Sequence, residues 1–526
     1  MLQRYSVLAL TAALAFTACS PDTLSAPQKK VVAPTFSQAA GSSNRHIVLM
    51  VPGAVPADFA DRVTALGGTV RSLNNDAGFA VVAGLTTEAA TQLTVSGIGD
   101  IQPDFQVRLD ESLPPIQADA SEIGNAIISS ATDPTSATNF NRQWNMRLIH
   151  APAAWLAGKL GSSTVTVAII DTGIDYDLPD LTGRVDLSRS HSFMDTFVGN
   201  GDDPSTPAFD ADPIVPADDT ILRRFGIFAG RDLITDLNGH GTNVATQVSS
   251  NAVRYAGVTS LTRLIGVKVL GANGLGNFSD ILDGVIWAAD HGADVANMSI
   301  GGGFSKAGNG QALAAINQVF NYAKTKGMVI VVAAGNSGVD LHHIRNQFAT
   351  YCDAPHVICV SAVGPQFGSD LGTSAENTPA FYTNFGQNNV DVAAPGGNAD
   401  AAHNFTRSVW PWSDPTKPLT FGDAASWVWS YCAKQSLIIQ RSTADPTKGN
   451  LFLTTCFTFN QALLLNNGYI GTSQAAPHVA GLAALLIAEN GRGNPYRIKQ
   501  LIQKTGVATS KALGRGRIDV AAALGL

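Results

Sequence analysis

Short apolar runs alternating with helix-like stretches predict an α/β fold: an open parallel sheet with helices on both faces, preceded by a small α+β unit. Two observations carry the prediction for the larger part. Val165–Ile170, Leu264–Val269, Val295–Ser299, Met328–Ala333 and Val357–Val363 are short, apolar and β-rich, as expected of strands buried on both faces of a parallel sheet. Between them lie stretches of helical character such as Ile281–His291 and Gln311–Lys326, and strand–helix alternation marks parallel layering. A third observation, a strand–helix–strand–strand–helix–strand order upstream, predicts the smaller unit.

Taken along the chain, residues 1–19 read as an export signal. Arg4 precedes a ten-residue apolar stretch, Val7–Phe16. Crossing hydrocarbon takes about 20 residues, so the stretch fits the core of a signal peptide. Phe16-Thr17-Ala18-Cys19-Ser20 resembles a bacterial lipobox and makes Cys19 the candidate for lipidation, although Phe16 stands where Leu is usual. Residues 20–44, rich in Ser, Ala, Pro and Gln, read as a flexible tether. Within 45–110, His46–Val51, Thr69–Leu73, Gly78–Val82, Ile98–Gln102 and Phe105–Leu109 read as strands, and Pro56–Leu66 and Thr86–Leu93 as helices. This is the ferredoxin-like order. Residues 111–138 read as a linker, and 139–526 as the large domain, with insertions at 186–235 and 400–467.

Composition narrows the classes. With 34 Lys+Arg against 41 Asp+Glu the net charge is −7, and 14% of the residues are charged against 45% apolar. A highly charged disordered chain is excluded, and without a basic run there is no electrostatic footprint for nucleic acid. No later stretch reaches about 18 uninterrupted apolar residues, so a membrane would be met only through a lipid anchor. Beyond Cys19, the four cysteines Cys352, Cys359, Cys432 and Cys456 permit two disulfides in three connectivities. Local pairing, Cys352–Cys359 and Cys432–Cys456, is the simplest. No Cys/His spacing suggests a metal site.

Three motifs fall at the carboxyl ends of strands or the starts of helices, where open parallel sheets gather their chemistry. Asp171-Thr172-Gly173 directly follows the run VTVAII, and a carboxylate there can fix the tautomer of an imidazole. His240-Gly241-Thr242 opens a helix-like stretch reaching Val253, its glycine leaving room beside the ring. Gly471-Thr472-Ser473-Gln474-Ala475-Ala476-Pro477-His478-Val479-Ala480-Gly481 places a serine at the start of an Ala-rich helix, near its positive end. Each alone has a bland reading: a turn cap, a structural histidine, a helix N-cap. Together they give the chain order Asp…His…Ser of one convergent serine-hydrolase solution. Ala333-Ala334-Gly335-Asn336 adds an amide donor at the same edge of the sheet.

These motifs, with Val267–Gly302, resemble the subtilisin-like serine peptidases (subtilases) over most of 140–526, and residues 46–109 resemble the inhibitory propeptide of that family. The resemblance implies a three-layer subtilisin-like sheet and a secreted serine endopeptidase made as an autoprocessed zymogen. Ser473 would attack the scissile carbonyl, His240 would shuttle its proton, and Asp171 would orient the imidazole. The Asn336 side chain would complete an oxyanion hole with the Ser473 N–H. Ser299, Ile300 and Gly301, with Leu275 and Gly276, would flank an extended peptide substrate. Its partners would be protein or peptide substrates and its own propeptide. Its place would be outside the cell or on the envelope as a lipoprotein, with cleavage within 108–138.

Several departures limit the resemblance. Asn243 and Thr246 replace a His and a Gly of the usual helix, and Gln474 stands where Met is typical after the nucleophile, which removes an oxidisable thioether. No cofactor is needed for such chemistry and no metal ligand is assigned. Structural calcium has a candidate in the acidic stretch Gly199–Asp219, for which a solvated loop is the better reading. The second insertion gathers Trp410, Trp412, Trp427 and Trp429, and reads as a small packed core rather than a sugar-binding platform. His342-His343 reads as surface. The rivals are a non-catalytic cell-surface binding module on the same fold and a serine esterase.

Overall fold

The computed structural model describes residues 45–95, 98–110, 116–118, 130–194, 232–271, 274–301, 303–365, 377–398, 427–431, 433, 438–441, 449–452, 466–509 and 513–526. Its first elements are β1 (Arg45–Leu49), α1 (Phe59–Ala65), β2 (Thr69–Asn74), β3 (Phe79–Ala83), α2 (Thr87–Val95) and β4 (Asp100–Pro103). The strands form an antiparallel sheet in the order β2–β3–β1–β4. Because successive side chains leave a strand on opposite faces, this sheet has two apolar sides. Val48, Ala80 and Val82 join Phe59, Val63 and Leu93 in a small core. Ile47, Leu49, Phe79 and Val81 enter a larger core shared with the rest of the protein.

The expected strand Phe105–Leu109 does not finish that sheet. β5 (Gln106–Arg108) pairs antiparallel with Leu275–Asn277 instead. The edge of β1 is already taken by β4, whereas Leu275–Asn277 would otherwise present unpaired backbone groups. The Phe105 ring stacks on Phe278 at 4.5 Å between centroids and helps to turn the chain there.

The large domain is built on β6 (Thr166–Asp171), β7 (Arg263–Lys268), β8 (Leu275–Asn277), β9 (Val295–Met298), β10 (Val329–Ala333), β11 (Val357–Gly364) and β12 (Val392–Pro395). All but β8 are parallel neighbours in the order β7–β6–β9–β10–β11–β12. Period-two alternation again makes two cores. Val167, Ile169, Val331 and Val360 face α3 (His240–Val248) and α6 (Thr472–Asn490), whereas Ala168, Ile170, Val332 and Cys359 face α4 (Phe278–Asp290) and α5 (Gly310–Thr325). This is the three-layer open sheet. The strand order reverses at β6, between its neighbours β7 and β9, and the crevice at such a switch point is where ligands bind in open α/β sheets.

The second insertion does not form a core of its own among the described residues. Trp427, Trp429 and Tyr431 are buried in the core beside α3 and α6. Val428–Tyr431, here β13, pairs antiparallel with β14 (Asn466–Tyr469). The expected linker also contributes structure: Ile116–Ala118 adds to β14, and the Thr138 N–H donates to the Val253 carbonyl at 3.2 Å. The helix expected to reach Val253 ends at Val248, where Ser249, Ser250 and Asn251 follow, residues that favour caps and turns. Cys352 and Cys359 are joined by a disulfide. Cys19, Cys432, Cys456, Trp410, Trp412 and Gly199–Asp219 lie outside the described residues.

Buried carboxyls sit where the first unit meets α4. Asp104 accepts from Ser279 Oγ at 2.6 Å and lies 3.3 Å from Arg45 Nε. Ser72 Oγ donates to Asp283 at 2.6 Å, and Arg45 pairs with Asp280. Burial pushes the Asp104 carboxyl up to about 6 despite Arg45, and the Asp283 carboxyl up to about 7 despite Ser72. Groups raised above their unfolded values hold protons in the folded chain that the unfolded chain has released. Their contribution is complete below about pH 4 and is lost as pH rises through 6 to 7. In a full-length chain carrying Ser473→Ala, the melting temperature is therefore expected to fall between pH 5 and pH 8, and Asp283→Asn to flatten the fall. Calorimetry across that range checks this; parallel curves for the two chains would contradict it.

Candidate active site

Asp171 closes β6 and is fully buried. Its Oδ1 accepts from His240 Nδ1 at 2.8 Å and from the Thr172 N–H at 2.7 Å. His240 is the first residue of α3 and is itself buried. The helix start comes so close to the turn after β6 that a Cβ on Gly241 would lie 2.2 Å from the Gly173 carbonyl oxygen. Only glycine fits. Asp236 braces the same corner: it accepts from the Asn238, Gly239 and Thr242 N–H groups and from the Thr172 and Thr242 hydroxyls, at 2.6–3.0 Å. The Gly241 N–H donates to Thr172 Oγ1 at 2.9 Å and joins the two motifs through that hydroxyl.

Ser473 is the second residue of α6, whose N-cap is Gly471, so its hydroxyl is not a cap. Pro477 lies four residues on, inside the helix, and supplies no N–H for the Ser473 carbonyl. That carbonyl accepts from Ser299 Oγ at 2.6 Å. Ser473 Oγ donates in return to the Ser299 carbonyl at 2.9 Å. The nucleophile candidate is thus held to the end of β9 by a reciprocal pair.

Asn336 follows β10. Its Oδ1 accepts from the Thr472 N–H at 2.8 Å and from Thr472 Oγ1 at 2.9 Å, and that hydroxyl accepts from the Gly335 N–H at 2.9 Å. With the oxygen so occupied, the amide can present only Nδ2 to the cleft. Nδ2 donates to the backbone carbonyl of Asp110 at 2.5 Å. Gly335 has φ +93°, and a side chain there would meet Asn384 Nδ2 at 2.6 Å.

The residues expected to flank a peptide meet the same segment. In β8, Leu275 and Gly276 pair with Arg108 and Val107, and the Leu109 N–H donates to the Gly274 carbonyl at 2.8 Å. Ser299 and Ile300 are buried, and a Cβ on Gly301 would lie 3.0 Å from the Asp110 Cβ. An extended strand thus already lies in the cleft.

One of the departures, Asn243, has a local explanation. Asn243 Nδ2 donates to the Val428 carbonyl at 3.2 Å and to Ser430 Oγ at 3.1 Å, and Gln247 donates to the Trp429 carbonyl at 3.1 Å. α3 uses its polar side chains to seat residues 428–430 of the second insertion. His478 lies between the Gln474 carbonyl at 2.8 Å and Asn145 at 3.0 Å, and burial pushes its pKa down to about 4. Sequence reasoning passed over Asp236, Thr472 and Asp110; for the first, an Asp four residues before the start of a helix was the available signal. Among the described residues, no group of three His, Cys, Asp or Glu could hold a metal ion, and no helix is long and apolar enough to cross a membrane.

A family profile described as the Subtilase family matches residues 162–519. The chain belongs to the subtilase family. This subtilase is 29% identical over 384 residues to the thermophilic serine proteinase of Bacillus sp. (strain AK1), a match covering 72% of this chain and 66% of that protein. It is 28% identical over 383 residues to thermitase of Thermoactinomyces vulgaris, covering 71% and 94% of the two chains. Its fold also resembles the epidermin leader peptide processing serine protease of Staphylococcus aureus, with a TM-score of 0.60 at 19% identity over 92% of this chain and 98% of that one. The protein is a serine-type endopeptidase, a hydrolase of peptides and proteins.

Asp236→Ala strands several buried donors at once, each costing about 1–3 kcal/mol. In the Ser473→Ala background it is expected to lower unfolding stability by about 3 kcal/mol or more in urea titrations. With Ser473 present it is expected to reduce kcat more than it raises KM, because it displaces His240 rather than the peptide-binding strand. A change confined to KM would contradict this.

Proposed function

We propose that this subtilase hydrolyses peptide bonds through Asp171, His240 and Ser473, with Asn336 as an oxyanion donor, and that it is made as a zymogen whose residues 45–110 occupy the cleft until they are cleaved off. The observation that carries the reading is the Asn336 amide, locked by Thr472 and donating to a peptide carbonyl. A donor aimed at a carbonyl oxygen becomes more effective as that oxygen gains charge. Ser473 Oγ leaves its resting bond to the Ser299 carbonyl and attacks the substrate carbonyl carbon. His240 takes the hydroxyl proton and passes it to the leaving amine. Asp171 holds Nδ1–H and stabilises the imidazolium. A water molecule then hydrolyses the acyl-enzyme, with His240 again as the base. The sequence of steps uses no cofactor.

In the same reading residues 1–19 direct export and Cys19 carries a lipid. Cleavage in the segment after residue 108 would free the catalytic domain from that anchor.

Purified wild type is expected to hydrolyse casein and Ser473→Ala to be inert. Asn336→Ala is expected to lose about 10²–10³ in kcat with little change in KM. Undiminished hydrolysis by Ser473→Ala would contradict the assignment of the nucleophile. A binding module on the same fold predicts that neither chain hydrolyses casein.

A further inference from the structure

We propose that the first bond this enzyme breaks is its own Asp110–Glu111 bond, and that the pocket before the attacked bond selects a side chain bearing an oxygen acceptor, Asp or Asn. The proposal rests on the acyl-transfer reading above and goes beyond it in fixing both the bond and the preference.

The register brings one carbonyl to the Asn336 amide. Val107 and Arg108 are paired with Gly276 and Leu275, and the Leu109 N–H is bonded to the Gly274 carbonyl. One residue further on, the Asp110 carbonyl receives the Asn336 Nδ2 at 2.5 Å. This side chain therefore occupies the position just before the bond to be cut. Asp110 Oδ2 accepts from the Asn336 backbone N–H at 2.9 Å. One residue thus reads the substrate twice, its side chain holding the carbonyl and its backbone holding the neighbouring side chain.

The walls of the pocket are glycines. A Cβ on Gly301 would meet the Asp110 Cβ at 3.0 Å and Oδ2 at 3.4 Å, and one on Gly335 would meet Oδ2 at 3.5 Å. A side chain at either position would crowd that of Asp110, so glycine leaves room for it on both sides. Burial pushes the Asp110 carboxyl up while the Asn336 N–H opposes the shift. What the pocket supplies is a single N–H donor, and a carboxyl or carboxamide oxygen satisfies it equally. A side chain without an acceptor, such as Leu, leaves that N–H buried and unpaired, a loss of roughly tenfold or more in kcat/KM.

The step balances without an outside reagent other than water. Ser473 Oγ forms an ester with the Asp110 carbonyl carbon as the carbon–nitrogen bond to Glu111 breaks. The Glu111 amine leaves with the proton carried by His240. Hydrolysis of the ester restores the Ser473 hydroxyl and leaves Asp110 as a new carboxyl terminus.

The experiment follows freshly refolded full-length wild type and Ser473→Ala by intact mass and N-terminal sequencing at several dilutions. It then tests the matured wild type on peptides copying residues 106–112 with Asp, Asn, Leu or Phe in place of Asp110. The expected results are a new terminus at Glu111, a rate independent of dilution, an uncut Ser473→Ala chain, and at least tenfold higher kcat/KM for the Asp and Asn peptides than for Leu and Phe. A different first terminus in a chain that hydrolyses casein overturns the assigned bond and leaves the peptidase reading standing. Leu or Phe peptides cleaved as well as Asp overturn the preference. A chain that neither shortens nor hydrolyses casein overturns both readings.

Discussion

Pro477 has no N–H, and so the carbonyl of Ser473 cannot be bonded by the residue four positions on, as helix geometry would otherwise provide. The vacancy is filled from the sheet by the Ser299 hydroxyl at 2.6 Å. Other contacts at the site depend on where this bond puts the helix. Thr472, one residue earlier, reaches Asn336 through both its N–H and its hydroxyl, and the Gly335 N–H returns to that hydroxyl. The start of α6 is therefore stitched to the ends of β9 and β10 by adjacent residues. A helix free to slide would lose the proposed oxyanion donor and the proposed nucleophile together. Proline inside a helix ordinarily costs about 3 kcal/mol; here the freed acceptor becomes the attachment point.

His240 is placed by a different device. The N-cap of its helix is a glycine without a side chain. The carboxylate of Asp236 supplies the missing acceptors, and Thr172 passes the bond on to Gly241. Asp171 receives the ring from the end of β6, one strand away from Ser299. The reversal of strand order at β6 leaves the crevice between β6 and β9 open for these groups to meet. Fold and site share one geometric cause.

How much of this was legible follows from what each residue does. Asp171, His240, Ser473 and Asn336 could be singled out as candidates because proton transfer and charge stabilisation demand those functional groups, and few alternatives exist. The buried strands could be read because residues such as Val167 and Ala168 must both be apolar when each face of the sheet is covered. Thr472 and Asp236 could not be singled out, because their work is to accept and donate bonds whose partners lie far away in sequence. Phe105–Leu109 showed strand character without showing its partner: the pattern is local, and the choice between β1 and β8 is not. For the same reason Trp427 and Trp429 read as a separate cluster, although polar side chains of α3 draw that strand into the main core.

If the N-terminal unit is cut from the chain as proposed, the two faces of its sheet would let it both fold and let go. One side closes over α1 and α2 with Phe59, Val63 and Leu93, a core independent of the large domain. The other side gives Ile47, Phe79 and Val81 to the core it shares with α4 and α5, and surrounds that contact with Asp104, Asp280, Asp283 and Arg45. While the chain is continuous, β5 is held beside β8 at the high effective concentration of an intramolecular contact. Cutting after β5 removes that advantage and leaves the apolar contact opposed by carboxyls whose burial favours their neutral form. Charging them requires water, and water reaches them only if the sheet lifts from α4. Rising pH and chain cleavage therefore act in the same direction on this interface, whereas the Asp171–His240 pair draws its bonds from within the large domain and does not depend on it.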